Sequence, residues 1–586
     1  MTMNRIHRAL IIFGLVLSAL MMVSCGQEGG QSDTDGDPNV ATAGDTRFSI
    51  TQYQFTWTFD REYRCGRFAN GDFWVVGPVT ITAISPGWDG EKNGSMIDPL
   101  PQNLQGYDSR ASYYDAGLTA DRPANMPLTV QPGSSLVSAL GLESSHATYG
   151  RSFLRSAAVL TVLDAEPPID AFRPPYCFGP KPLFRFSDVD ISALPILAGT
   201  AATPDTNTYM RHFQRVWLDH MEEVVNQNIH PIENMETYSR DIAEQVGDGA
   251  LLLFIDHPDR QSLLTYYVQT GIDLYHLALQ HNYLWPASGG HSNGRKWPIL
   301  FAGIMLDHNG MKRVDAAFGE DQQTFYVGDN DILSRPYSLN CHGDTTYHGE
   351  GTVTVSSGAT QVQGLGTSFT AADVDRYFGV VGTPDLNAPQ EDWNTPDGRA
   401  YLITAVDVPH QTLTLAQAYR GTSQTGMSYK IGTSANSQGW LWYGHGFSPG
   451  TYRKDYMEYE ERHRGLPEWG IIHARNATSD GLDWDNASYR RCCTAVAWAG
   501  YLLSAWIMED AFSTKTLWDH DALFDYMDRY MRIELAGVDD EGNLFGTGLR
   551  QDSTFAEQMW DRYREDYGCI YESLDSASHT RIYHCN

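Results

Sequence analysis

The stretch Tyr489-Arg490-Arg491-Cys492-Cys493-Thr494-Ala495-Val496-Ala497-Trp498-Ala499-Gly500-Tyr501-Leu502-Leu503-Ser504-Ala505-Trp506-Ile507-Met508 sets Cys492, Val496, Ala499, Leu503 and Trp506 at steps of 4, 3, 4 and 3. That is the spacing of a helix face buried against other helices. The same period recurs outward through residues 209–228, 261–282, 297–306, 520–533 and 554–565. Consecutive helices joined by Pro- and Gly-rich loops predict a helical body in two parts, 201–348 and 433–586, whose long connections carry the special residues.

Two regions read differently. From Phe48 to about Leu197, short β-rich runs such as Tyr53-Gln54-Phe55-Thr56-Trp57-Thr58-Phe59 and Val79-Thr80-Ile81-Thr82-Ala83-Ile84 alternate with turns, which predicts an antiparallel β-sandwich over 47–200. From 349 to 432 the helical period vanishes again, and Thr352-Val353-Thr354-Val355, Tyr401 to Val406 and Thr412 to Leu415 read as strands, the last two joined by a hairpin. A small β-module inserted into the helical body is expected there. The fold class that results is multidomain α+β.

Composition bounds the function. The 586-residue chain carries 15 Trp, 32 Tyr and 23 Phe, which can fill large cores and excludes wholesale disorder. Its 41 Lys and Arg against 72 Asp and Glu give a net charge of −31, which argues against a broad phosphate-tracking surface and hence against nucleic acid as a partner.

Arg5 and Arg8 precede the apolar run Ala9 to Val23, the order of a secretory signal over 1–24. The run ends Met22-Val23-Ser24-Cys25, which resembles a bacterial lipoprotein box. Cleavage before Cys25 would leave a lipidated cysteine and a polar tether over 25–46, and loss of the two arginines would take the charge to −33. The expected location is the bacterial cell envelope, at the outer membrane or cell surface. Seven further cysteines remain, of which Cys569 and Cys585 flank a short loop and make the most plausible bridge. No spacing matches a zinc pattern and no cofactor is called for, a divalent cation being the one left open.

The segment Gly289-Gly290-His291-Ser292-Asn293-Gly294-Arg295-Lys296-Trp297-Pro298 is the richest in chemistry. Glycines permit close backbone approach, Arg295 and Lys296 suit an anionic group, and Trp297 offers a face for a sugar ring, with His291 beside them. The alternative is a helix entry with solvated cations and a core tryptophan. Asp307 with His308 suggests an oriented base or ligand pair, weakened because adjacent helical residues point about 100° apart. After the β-module, Tyr443-Gly444-His445-Gly446 leads to Tyr452, and Pro467-Glu468-Trp469 sets a carboxylate beside an aromatic platform. Tyr489 and Arg490 open the last long helical stretch, where Arg490 could hold a substrate carboxylate or pair with Asp483 or Asp485.

An exported chain with an N-terminal β-domain, a helical body and loops rich in His, Arg, Tyr and Trp resembles the polysaccharide-processing enzymes built on α/α toroids, especially the polysaccharide lyases of uronic-acid polymers. Here the β-domain precedes the helices, whereas several such lyases place it after them. The resemblance implies a toroid-like body and β-elimination. Asn293 or Arg295 would neutralise the uronate carboxylate, His445 would take the C5 proton, and Tyr443 or Tyr452 would protonate the leaving oxygen. A toroid glycoside hydrolase using Glu468 with Asp485 or Asp321 is the second reading, and a glycan-binding lipoprotein the third. In each the partner is a polysaccharide, anionic in the first.

Overall fold

The computed structural model describes residues 45–102, 104–143, 153–220, 230–234, 241–280, 285, 290–328, 349–381, 401–419, 423–432, 461–470, 484, 489–492, 494–540 and 553–585. Strands β1 (Asp45–Gln52), β2 (Phe55–Arg67), β3 (Phe73–Val76), β4 (Val79–Ser85), β5 (Ser95–Ile97), β6 (Leu128–Val130), β7 (Ser134–Gly141) and β8 (Leu154–Leu163) form one sheet in the order β5-β7-β8-β3-β2-β4-β6, with β1 on β2. Long β2 joins two halves, pairing with β4 near its start and with β3 near its end.

Those halves face each other. Trp57 Nε1 of β2 donates to Ser138 Oγ of β7 at 3.1 Å, although three strand spacings of about 4.8 Å separate them along the sheet. Phe55, Trp57, Phe59, Ile81, Leu136, Leu160 and Val162 fill the space between. The expected sandwich is therefore one sheet folded over on itself, and it is not wholly antiparallel, because β3 and β8 run parallel.

Helices α1 (Thr206–Gln214), α2 (Asp241–Leu252), α3 (Arg260–Gln280) and α4 (Lys296–Met305) follow. α3 is buried on all sides from Ser262 to Ala278, as a helix in the middle of a large core is. Next come α5 (Gly319–Gln323) and strand β9 (Thr324–Tyr326). Strands β10 (Thr352–Val355), β11 (Gln361–Leu365), β12 (Tyr377–Val381), β13 (Tyr401–Asp407), β14 (Thr412–Leu415) and β15 (Gln424–Gly432) close into a barrel. Its core of Val353, Val362, Phe378, Ile403, Leu413 and Ile431 is its own, and closure leaves no free strand edge.

Beyond the barrel, β16 (Pro467–Trp469) pairs antiparallel with β9. Helices α6 (Ala499–Ile507), α7 (Thr514–Trp518), α8 (Asp521–Ala536) and α9 (Thr554–Tyr563) precede a hairpin of β17 (Cys569–Asp575) and β18 (Thr580–Cys585), closed by the Cys569–Cys585 disulfide. One apolar core joins these helices to the sheet through Met96, Val137 and Phe153. Buried Arg173 ties the same layers together, pairing with Asp72 after β2 at 2.6 Å and with Asp273 of α3. The chain is a mixed α/β protein.

Two expected helices are shorter than their periods suggest. Residues 489–508 are not one helix: a single turn, Tyr489–Cys492, is followed by Thr494 at φ −141°, ψ −92°, a 3₁₀ turn, and then α6. The break separates the arginine pair, which turns toward Glu468 and Glu534, from the apolar face of α6. α1 stops at Gln214 because Arg215 goes extended and sends its guanidinium to Ser156 and Glu233.

Candidate functional site

The Gly-rich loop reaches α4 through Gly294, at φ +83°, where a Cβ would sit 2.7 Å from Ala243 Cα of α2. Only a residue without a side chain fits that approach. The chain is thereby pressed onto α2, and Asn293, Arg295, Lys296 and Trp297 are all buried. A second close crossing brings α6 to the same helix: a Cβ on Gly247 would lie 2.8 Å from the Tyr501 backbone nitrogen.

Arg295 is fully engaged with the chain itself. Its Nε donates to Asp219 Oδ2 at 2.8 Å, Nη2 to Asp219 Oδ1 at 3.3 Å and Nη1 to the Asn293 carbonyl at 2.8 Å. His230 Nε2 donates to the same carboxylate. Burial would raise the Asp219 carboxyl, but Arg295 and His230 hold it below its ordinary value. Burial lowers the imidazoles of His220 to about 3 and His230 to about 4 and so keeps both neutral.

Lys296 donates to Asp321 Oδ2 at 2.5 Å and to the Trp518 carbonyl at 2.6 Å, while Trp518 Nε1 donates to Asp321 Oδ1 at 2.8 Å. The Trp518 ring stacks with Trp297, centroids 6.2 Å apart, and with Tyr501 at 6.0 Å. The Lys296 and Asp321 side chains keep 9% and 19% of their surface in solvent, so this pair marks an edge of the site that water reaches. Asn293 Nδ2 donates to Gln323 Oε1 at 3.2 Å, and the Gln323 carbonyl accepts from Gly470 N–H at 2.9 Å. Gln323 thus links the Gly-rich loop to the β16 segment.

On that side Glu468 is fully buried between two guanidinium groups. Arg490 Nη1 lies 2.6 Å from Oε1 and Arg529 Nη1 2.9 Å from Oε2. Arg490 also lies 4.4 Å from the Trp484 ring centroid and 5.8 Å from that of Trp469. Such a doubly paired carboxylate is held by its neighbours rather than presented to a ligand.

The structure therefore brings Asn293, Lys296, Trp297, Glu468, Trp469 and Arg490 into one connected region, with His291 also buried. It corrects their expected orientation. Arg295, Lys296 and Arg490 each meet a carboxylate of the chain itself, and Trp297 and Trp469 lie in the core instead of offering a sugar platform. Tyr443, His445, Tyr452 and Cys25 lie outside the described residues, as does the Tyr489 side chain. Asp307 and His308 share no site: exposed Asp307 pairs with Lys312, and His308 Nδ1 caps a helical turn by accepting from Met311 N–H at 3.1 Å. Among the described residues no cluster of His, Cys, Asp and Glu is arranged to hold a metal ion.

Sequence reasoning missed Asp219, Tyr501, Trp518 and Arg529, which reach the region only through tertiary contacts. It also passed over Glu320. The one sequence signal there was an acidic pair, Glu320-Asp321, next to aromatic residues. The chain matches no protein-family model, no curated protein and no solved structure.

Proposed function

We propose that this chain is an exported, lipid-anchored polysaccharide-degrading enzyme with a toroid-like helical body, cleaving uronate-containing polymers by β-elimination. The observation that carries the reading is the meeting of the Asn293 and Gln323 amides beside the Trp297–Trp518–Tyr501 stack, whose Trp518 bonds to the partly exposed Asp321, itself paired with Lys296. Elimination needs the charge that develops on the uronate carboxylate to be stabilised as the C5 proton leaves, and amide donors do this without a free cation. That suits a site whose cations are already paired. In this reading Asn293 holds the carboxylate and His445 takes the proton. The C5–H electrons form the C4–C5 double bond as the C4–O4 bond breaks.

Hydrolysis is the second reading, favoured by one contrast: Glu320 is buried without a charged partner, whereas Asp321 beside it is paired with Lys296. Incubation of the mature chain with a panel of uronate and neutral polysaccharides separates the two. Ultraviolet absorbance from an unsaturated uronate supports elimination, new reducing ends without it support hydrolysis, and neither contradicts an enzyme of this class. Anchoring is tested by Cys25→Ser, which should move the chain from the membrane to the soluble fraction because one or two lipid chains supply the binding energy. Unchanged membrane retention would contradict it.

A further inference from the structure

We propose that Glu320 is the proton donor to the departing glycosidic oxygen. The inference rests on the polysaccharide-cleaving reading but serves elimination and hydrolysis alike, since in both an oxygen must gain a proton as its bond to carbon breaks.

Glu320 is fully buried on α5, and neither carboxyl oxygen accepts a hydrogen bond from a described side chain. A buried carboxyl in that state costs far more as an anion than as a neutral acid. The Tyr501 hydroxyl of α6 faces the same charges and also lacks a partner among the described residues. A buried carboxyl that no described side chain meets, beside a buried hydroxyl without a partner among the described residues, calls for a functional or ligand-filled explanation.

The surrounding charges complete it. Asp321 lies on the same helix, Lys296 on α4, and the N–H of Gly294 on the loop. Lys296 is committed to Asp321 and the Trp518 carbonyl, so it compensates Glu320 only in part. Burial first, and Asp321 second, push the Glu320 carboxyl up to about 7, against smaller opposing effects of its own backbone N–H, Lys296 and Gly294. An acid is most effective when its pKa lies near the working pH, and two neighbouring carboxyls set apart by their environments are the usual sign of assigned acid and base roles. Glu320 also sits one residue behind the Asp321–Lys296 edge that solvent reaches, where a sugar would arrive.

The step balances. In elimination the electron pair of the broken C4–O4 bond takes the Glu320 proton, leaving a hydroxyl on the departing sugar and a Glu320 carboxylate that regains a proton from solvent. In hydrolysis the same proton goes to the leaving oxygen while water supplies the new hydroxyl at the anomeric carbon. Glu320 thus takes the place that the sequence reading gave to Tyr443 or Tyr452.

The test is Glu320→Gln, a neutral near-isostere of the protonated acid that should fold, as a thermal melt will verify. On polymer its turnover should fall by ~10²–10⁴-fold, the usual contribution of a positioned acid or base. The alkaline limb of the wild-type pH profile, near 7, should disappear. A synthetic uronide carrying nitrophenolate at the scissile oxygen, which leaves without a proton, should still be cleaved at close to the wild-type rate. A folded variant with wild-type polymer turnover and an unchanged pH profile overturns the inference, as does an equal loss on both substrates, which would mark a positioning role. Absence of product from the wild-type chain on every polymer overturns the cleavage reading itself, and the inference with it.

Discussion

Glu468 and Glu320 are two buried glutamates on either side of Gln323, and the fold treats them in opposite ways. Glu468 lies between Arg490 and Arg529, with Trp484 against both guanidinium groups. Glu320 has an aromatic stack nearby and its closest cation spent on Asp321. Burial is complete at both. The difference teaches that the number of charges around a carboxyl, and not its depth, decides whether it fastens the structure or remains available for proton transfer.

The largest effect should come from unbalancing the paired site. Arg490→Met leaves Glu468 with one guanidinium and should cost about 3–5 kcal/mol, the penalty for stranding part of a buried ion cluster. Urea unfolding measures it. A loss below about 1 kcal/mol, the scale of a surface pair, would break the comparison.

Glu320→Gln sharpens the other side through pH. The folded-state pKa is raised from an ordinary 4.5 to about 7. Between those values the folded chain holds a proton that the unfolded chain has released, so wild-type stability falls as pH rises through the window and levels off above it. The variant lacks this penalty. Its advantage over wild type should grow across the window to on the order of 3 kcal/mol and then stay constant. An advantage that does not change with pH would contradict a protonated Glu320.

Much of the fold was legible in the sequence, because period and punctuation report backbone geometry directly. The alternation in Val79 to Ile84, the strands between residues 349 and 432, and the Cys569–Cys585 bridge all correspond to what the chain forms. The break at Thr494 was not legible. The apolar spacing continues across it, and what overrides the helix is the pull of Arg490 and Arg491 toward Glu468 and Glu534, which lie 22 and 43 residues away.

At the site, residue types pointed to the right neighbourhood but not to the right orientation. The cations of Arg295, Lys296 and Arg490 looked available because their partners, Asp219, Asp321 and Glu468, are distant in sequence. Glu320 escaped notice for the converse reason: what distinguishes it is that no described side chain bonds to it, which only the folded structure reveals.

The most direct test of the central claim is the infrared difference spectrum between wild type and Glu320→Gln at about pH 6, below the value near 7 that burial imposes. A protonated carboxylic-acid carbonyl band should be present in wild type, absent from the variant, and lost from wild type when the pH is raised to about 9, two units past that value. Identical carbonyl regions in the two proteins at about pH 6 would mean that Glu320 is already ionised there, contradicting both its contrast with Glu468 and its role as proton donor.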